Sequence, residues 1–153
     1  MKKKFLIAAL VATLFACKKE KTETPASLGG TPGKTKHCTA TVNGSSFAAD
    51  SYSSIIPYGY VINAFNLSSG QPTIIVQGQC AIGTYSIFPF SPNRVSYKIN
   101  NVTYTGTSGS INVTQIDTTG GYVKELEATF IVNTDTISGV SYQITNGDIY
   151  YKQ

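Results

Sequence analysis

The sequence predicts an all-β protein: a single antiparallel β-sandwich or small barrel of about 8–10 short strands, set behind a signal peptide and a flexible tether. Three observations point there. Ten Tyr, with many Thr and Val, stand against a single Met, a composition suited to pleated, half-buried surfaces. From residue 38 onward, apolar and polar side chains alternate with a period of two, and turn signals recur at regular spacing. No segment carries a 3.6-residue apolar stripe longer than two turns. A chain of 153 residues has room for one such domain plus terminal extensions.

The N-terminus reads as an export signal. Lys2, Lys3 and Lys4 form a positive opening, and an apolar run of about 11 residues follows from Phe5 to Phe15, within the range of a signal-peptide core. That run is well short of the roughly 20 residues a membrane-spanning helix needs. It ends in Leu14-Phe15-Ala16-Cys17, which resembles the box read by the lipoprotein signal peptidase and makes Cys17 the lipidation site. Residues 1–16 are therefore assigned to the signal and residues 17–36 to a lipidated cysteine with a disordered tether. The acyl chains on Cys17 would make a stable membrane anchor. In the tether, Leu28 is the one large aliphatic residue, so nothing offsets the entropy of ordering. Treated as a coil, it reaches roughly 25 Å.

The domain, residues 37–153, then unfolds strand by strand. Cys38, Ala40 and Val42 alternate with Thr39 and Thr41, and Asn43-Gly44 offers a type I′ turn into Phe47 and Ala49. Strands are expected over residues 58–67, 73–79, 83–88 and 95–100, the last two separated by the breakers Pro89 and Pro92. Further strands are expected over 102–107, 110–116, 123–132, 140–145 and 149–151. In 123–132, Leu126, Ala128, Phe130 and Val132 fall on one face, with Glu125, Glu127 and Thr129 on the other, as in a half-buried antiparallel strand.

Charge and cysteine count narrow the function classes. The domain holds Arg94, Lys98, Lys124 and Lys152 against Asp50, Asp117, Glu125, Glu127, Asp135 and Asp148, a net of −2. Such a balance carries no electrostatic footprint for nucleic acid. With Cys17 consumed by lipid, Cys38 and Cys80 remain. An even pair in an oxidising compartment suggests a disulfide; the alternative is two reduced, buried thiols.

Catalytic chemistry finds little to work with. A serine or cysteine hydrolase needs a nucleophile, a base and an orienting group, and His37 at the tether junction is the sole histidine. Glu125 and Glu127 read as a solvated sheet face rather than a glycosidase pair. Phosphate loops, calcium loops and zinc-ligand spacings are absent from the sequence, so neither a metal nor a cofactor is expected. Tyr52, Tyr58 and Tyr60 crowd a loop-to-strand region beside Pro57 and Gly59, where aromatic rings can stack on a sugar or a partner, or simply cover a sheet.

With these strands in place, the chain resembles a group of small Bacteroidota lipoproteins of unknown function. The matching pieces are Ala40-Thr41-Val42-Asn43-Gly44 with Phe47-Ala48-Ala49, Gly83-Thr84-Tyr85, Gly109-Ser110-Ile111-Asn112-Val113-Thr114 with Asp117, Ala128-Thr129-Phe130 where Gly-Thr-Phe is usual, and Ile144-Thr145-Asn146-Gly147. Their order and spacing run over residues 38–151. The resemblance implies a single all-β domain and an outer-membrane address, with the periplasmic or cell-surface side left open, and implies no activity. It also implies that Asp117-Thr118-Thr119 and Asp135-Thr136-Ile137, in expected turns, are candidate O-glycosylation sites at Thr118 and Thr136. The reading is a lipid-anchored, non-enzymatic, monomeric β domain that binds an unidentified glycan or protein partner. A structural envelope component is the close rival, and a glycan- or peptide-acting enzyme the distant one.

Overall fold

The computed structural model describes residues 34–55, 59–68 and 70–153. Cys17 and Tyr58 lie outside the described residues, as do the expected signal and most of the expected tether. The described chain is all-β: ten antiparallel strands in one sheet that curls into a half-barrel. In chain order they are β1 His37–Val42, β2 Ser45–Ala48, β3 Ser51–Ile55, β4 Tyr60–Phe65 and β5 Thr73–Gly78, then β6 Gly83–Ile87, β7 Arg94–Ile99, β8 Val102–Asp117, β9 Glu125–Thr134 and β10 Gln143–Lys152. The sheet order is β2-β1-β10-β9-β8-β7-β5-β4-β3, with β6 pairing β8 off this path.

Two pairs of expected strands fuse. Residues 102–107 and 110–116 form the single 16-residue β8, whose first part pairs with β7 and whose second part pairs with β6. The corner is at Gly106–Gly109, where the register against β9 slips. A strand that passes from one limb of a sheet to another needs such a bulge. Gly109 sits at φ +126, and a Cβ there would collide with the Ile131 carbonyl, so glycine is required. Residues 140–145 and 149–151 likewise join in β10 around a bulge before Gly147, over which the Phe130 ring lies. The short β3 carries no clean alternation and was not expected from the sequence.

Period-two alternation decides what is inside. On β9 the expected face of Leu126, Ala128, Phe130 and Val132 is buried, and it meets Ile111 and Val113 of β8 and Ile144 and Ile149 of β10. The opposite limb contributes Ile62, Ile74, Val76 and Val95. Each Val, Leu, Ile or Phe among them adds about 1.5–3 kcal/mol relative to exposure. The limbs meet across the core where the Tyr52 and Tyr151 rings lie 6.5 Å apart and the Ser54 Oγ and Tyr151 hydroxyl are 3.0 Å apart.

The Cys38–Cys80 disulfide is not formed: both thiols are free. Cys38 is buried on β1 beside Tyr52, which pairs with Ala64 of β4. Cys80 is exposed beyond the end of β5, past Gly78, which pairs with Tyr60. Ala64 and Tyr60 stand four residues apart, about 13 Å along the strand, far beyond the reach of a disulfide. Burial, with a smaller contribution from Asp148, pushes the Cys38 thiol up to about 12.

Candidate functional site

The connection from β6 to β7 is the sequence Phe88-Pro89-Phe90-Ser91-Pro92-Asn93. The Ser91 amide donates to the Phe88 carbonyl at 3.0 Å, which closes a four-residue turn with Pro89 at its second position. Phe90, at the third position, has φ +68. A proline followed by a left-handed residue is the pattern of a type II turn, whose third position normally takes Gly or Asn. Here a phenylalanine occupies it, and its side chain is 93% exposed. The ring therefore has no packing to offset the roughly 1–2 kcal/mol that left-handed backbone costs a residue with a Cβ.

The base of this loop is held firmly. The Ser91 hydroxyl donates to the Ser86 carbonyl at 3.4 Å and accepts from the Asn93 amide at 3.2 Å. The Asn93 carboxamide oxygen in turn accepts the Gln79 amide at 3.0 Å. Ser91 and Asn93 are among the few buried polar residues, so the turn is anchored by satisfied hydrogen bonds rather than by its aromatic rings.

Phe90 contributes to the wall of an open hollow of about 370 Å³, together with Pro89, Arg94, Thr105, Gly106, Thr107 and Asp135. The β8 corner makes the floor. A Cβ on Gly106 would stand 2.6 Å from the Val95 carbonyl oxygen and 2.8 Å from the Val132 side chain, so glycine lets the corner pack closely on the core. Asp135 follows β9 and is oriented by its neighbour across the corner: its Oδ1 accepts the Thr105 amide at 2.8 Å, and its own amide donates to the Thr105 carbonyl at 2.7 Å. The second carboxylate oxygen is left for another donor. Arg94, half-buried at the start of β7, takes part in none of the ion pairs or side-chain hydrogen bonds found among the described residues. The hollow thus combines an exposed aromatic face, a donor-only guanidinium, an acceptor-only carboxylate and two threonine hydroxyls. A wider trough of about 470 Å³ on the outer face of β8–β10 lacks this combination of a guanidinium, a carboxylate and an exposed phenylalanine.

The other end of the long strands is occupied by the chain's own entry segment. Lys34 pairs with Glu127 at 2.5 Å and lies 5.7 Å from the centre of the Tyr150 ring. Lys36 lies 4.5 Å from the Tyr151 ring centre and 5.8 Å from that of Tyr52. His37 opens β1 with one ring nitrogen 3.2 Å from Asp148 and the other 2.9 Å from the Thr35 carbonyl. Glu125 accepts the Tyr150 hydroxyl at 2.6 Å and faces Lys152 at 3.8 Å. Each exposed ion pair or cation–π contact contributes at most about 1 kcal/mol, but together they seat residues 34–36 at this end. From Glu127 to Asp135 the path along β9 is about 26 Å, so the hollow and the entry segment lie at opposite ends.

Of the tyrosines expected to bind, Tyr58 lies outside the described residues, and Tyr52 and Tyr60 differ in exposure. Alternation on β4 turns Tyr60 wholly into the core, its ring packed on Gly78, and its hydroxyl has no hydrogen-bond partner among the described residues. Tyr52 is half-buried beneath Lys36. Thr118 is half-exposed in the β8–β9 turn, where Asp117 caps Thr119 through its amide and hydroxyl. Thr136 is exposed in the β9–β10 hairpin closed by the Ile137–Val140 bridge. No group of three or more potential metal ligands occurs among the described residues. The sequence does not group Phe90, Arg94 and Asp135: Pro89-Phe90-Ser91-Pro92 reads as a strand breaker, and Asp135 stands out only in Asp135-Thr136-Ile137; the signal available was an aromatic where a Pro-initiated turn favours glycine. No family model matches the chain, and no curated protein or solved structure matches it.

Proposed function

We propose that the chain is an envelope lipoprotein, anchored through Cys17, whose β domain is a binding module with its site at the Phe90 turn. The observation that carries this reading is Phe90 itself. A large apolar ring is held in solvent by a left-handed backbone and a hydrogen-bonded loop base, where glycine would sit without strain. Strain with no compensating contact inside the domain points to a contact made outside it. The unpartnered Arg94 and the half-used Asp135 beside the ring supply directional groups for a ligand.

The position of the site supports the same reading. The segment that leads back to Cys17 enters at the end marked by Lys34, Glu127 and Tyr150, whereas the hollow opens at the other end of β9. Residues 34–36 therefore leave the hollow uncovered.

Two measurements test the proposal. Intact-mass analysis of membrane-extracted protein should show an acylated N-terminus at Cys17, and Cys17→Ser should release the protein in folded form; a mature chain cut elsewhere sinks the anchor. The same spectra read whether Thr118 and Thr136 carry glycan. Binding of the extracted full chain to polysaccharide and protein fractions of the envelope should fall in Phe90→Ala and Arg94→Gln. Binding that survives both changes intact would place the function elsewhere and favour a structural envelope component.

A further inference from the structure

We infer that the ligand of the Phe90 hollow is a saccharide, recognised through one pyranose ring with adjacent hydroxyls. The inference rests on the binding-module reading above and adds the chemical class. It follows from what the hollow offers and what it lacks. Arg94 can only donate and Asp135 Oδ2 can only accept, and the two form no ion pair with each other. A simple anion would satisfy Arg94 but would sit against Asp135, and a simple cation would face the reverse. A pair of neighbouring hydroxyls meets both demands, because each hydroxyl donates and accepts at once. One can give its proton to the carboxylate while its neighbour accepts from the guanidinium fork. Thr105 adds a hydroxyl of the same two-way kind, and the Thr107 hydroxyl, which donates to the Asn133 carbonyl at 3.2 Å, can still accept.

The remaining surface fits the other half of a sugar's chemistry. A pyranose carries an apolar C–H face opposite its hydroxyl edges, and the electron-rich face of an aromatic ring is its natural platform. Phe90 is 93% exposed and lines the hollow from a turn whose next residue, Ser91, is hydrogen-bonded to Ser86 and Asn93. An extended peptide is less well served. Backbone pairing at a free strand edge is the usual way such a peptide docks. Here the β7 and β8 edges pair with each other, and Thr105 is already bonded through both amide and carbonyl to Asp135. The hollow of about 370 Å³ is at the small, open end of ligand sites, so affinity for a single ring is weak, roughly millimolar to high micromolar.

The experiment is a nuclear magnetic resonance titration of the full chain in detergent with methyl glucoside, methyl galactoside, methyl mannoside and methyl glucuronoside. A Phe- and Pro-containing decapeptide serves as the alternative ligand. At least one pyranoside should shift Phe90, Arg94, Thr105 and Asp135 together in a saturable way. Phe90→Ala should weaken that binding roughly three- to tenfold and Phe90→Tyr should restore it. Arg94→Gln should cost roughly tenfold or more. Because Phe90 is solvated, its replacement leaves the core packing intact and the fold can be verified from the same spectra. If the peptide perturbs these residues and no pyranoside does, the saccharide inference falls while the binding module stands. If neither ligand perturbs them, both fall. Pyranoside shifts confined to the trough on β8–β10 overturn the site assignment.

Discussion

Phe90 offers a test in which backbone and ring can be separated by measurement. Replacement by glycine relieves left-handed strain of about 1–2 kcal/mol and removes a ring that is 93% exposed. The buried remainder is about 15 Å² of a side chain of roughly 200 Å², which at 25 cal/mol/Å² amounts to about 0.4 kcal/mol. Glycine also gives the unfolded chain extra freedom, a cost of about 0.4–1 kcal/mol. These terms nearly cancel against wild type, so the decisive comparison is between Phe90→Gly and Phe90→Ala. Both variants lose the ring, but alanine keeps the strained φ. The glycine variant should therefore be the more stable of the two by about 1 kcal/mol, although at an ordinary right-handed position glycine is the poorer residue by a similar amount. Urea denaturation followed by far-UV circular dichroism reads the difference as a shift in midpoint at constant slope. In heat denaturation it corresponds to about 3–5 °C. If the alanine variant is the more stable, Phe90 is not left-handed in solution and the strain argument is wrong. If both variants lose more than about 1 kcal/mol, the ring is packed and not presented.

Other consequences concern the core and the thiols. Phe130→Ala should cost about 3–5 kcal/mol, because the ring is buried over Gly147; an unchanged urea midpoint would contradict the β9–β10 packing. Gly109→Ala should be strongly destabilising, by about 2 kcal/mol or more, since φ +126 and the Ile131 carbonyl both oppose a Cβ, whereas Gly120→Ala, at φ +83 with open space around it, should cost less. Cys80 should react promptly with a thiol reagent under native conditions and Cys38 only on unfolding; equal labelling rates would refute the burial of Cys38. The Cys38 thiol is ordinary near 9 when unfolded and raised to about 12 when folded. Above pH 9 the unfolded state sheds this proton and the folded state keeps it. Stability should therefore be fully present below pH 9 and decline through pH 12, and Cys38→Ala should flatten that decline.

Much of the fold was legible because period-two alternation depends only on neighbours along the chain. It placed Leu126, Ala128, Phe130 and Val132 on the buried face of β9 without knowledge of their partners. The Asn43-Gly44 turn was legible for the same reason, with Asn43 at φ +46 and Gly44 at φ +81 joining β1 to β2. What the sequence by itself determined is thus the all-β class, the inward face of β9, the alternation of β1 and the Asn43-Gly44 turn. The tertiary structure decided what depends on strand order. It separated Cys38 from Cys80 by setting β1 and β5 in different limbs of the sheet. It fused two expected strands into β8, because Gly106 and Gly109 act as a corner between limbs rather than as a break. It brought Arg94, Thr105 and Asp135, from three different strands or their ends, around a phenylalanine whose loop reads locally as a mere interruption. The physical reason is range: alternation and turn chemistry act over two to four residues, whereas a hollow forms only where strand order brings distant segments together.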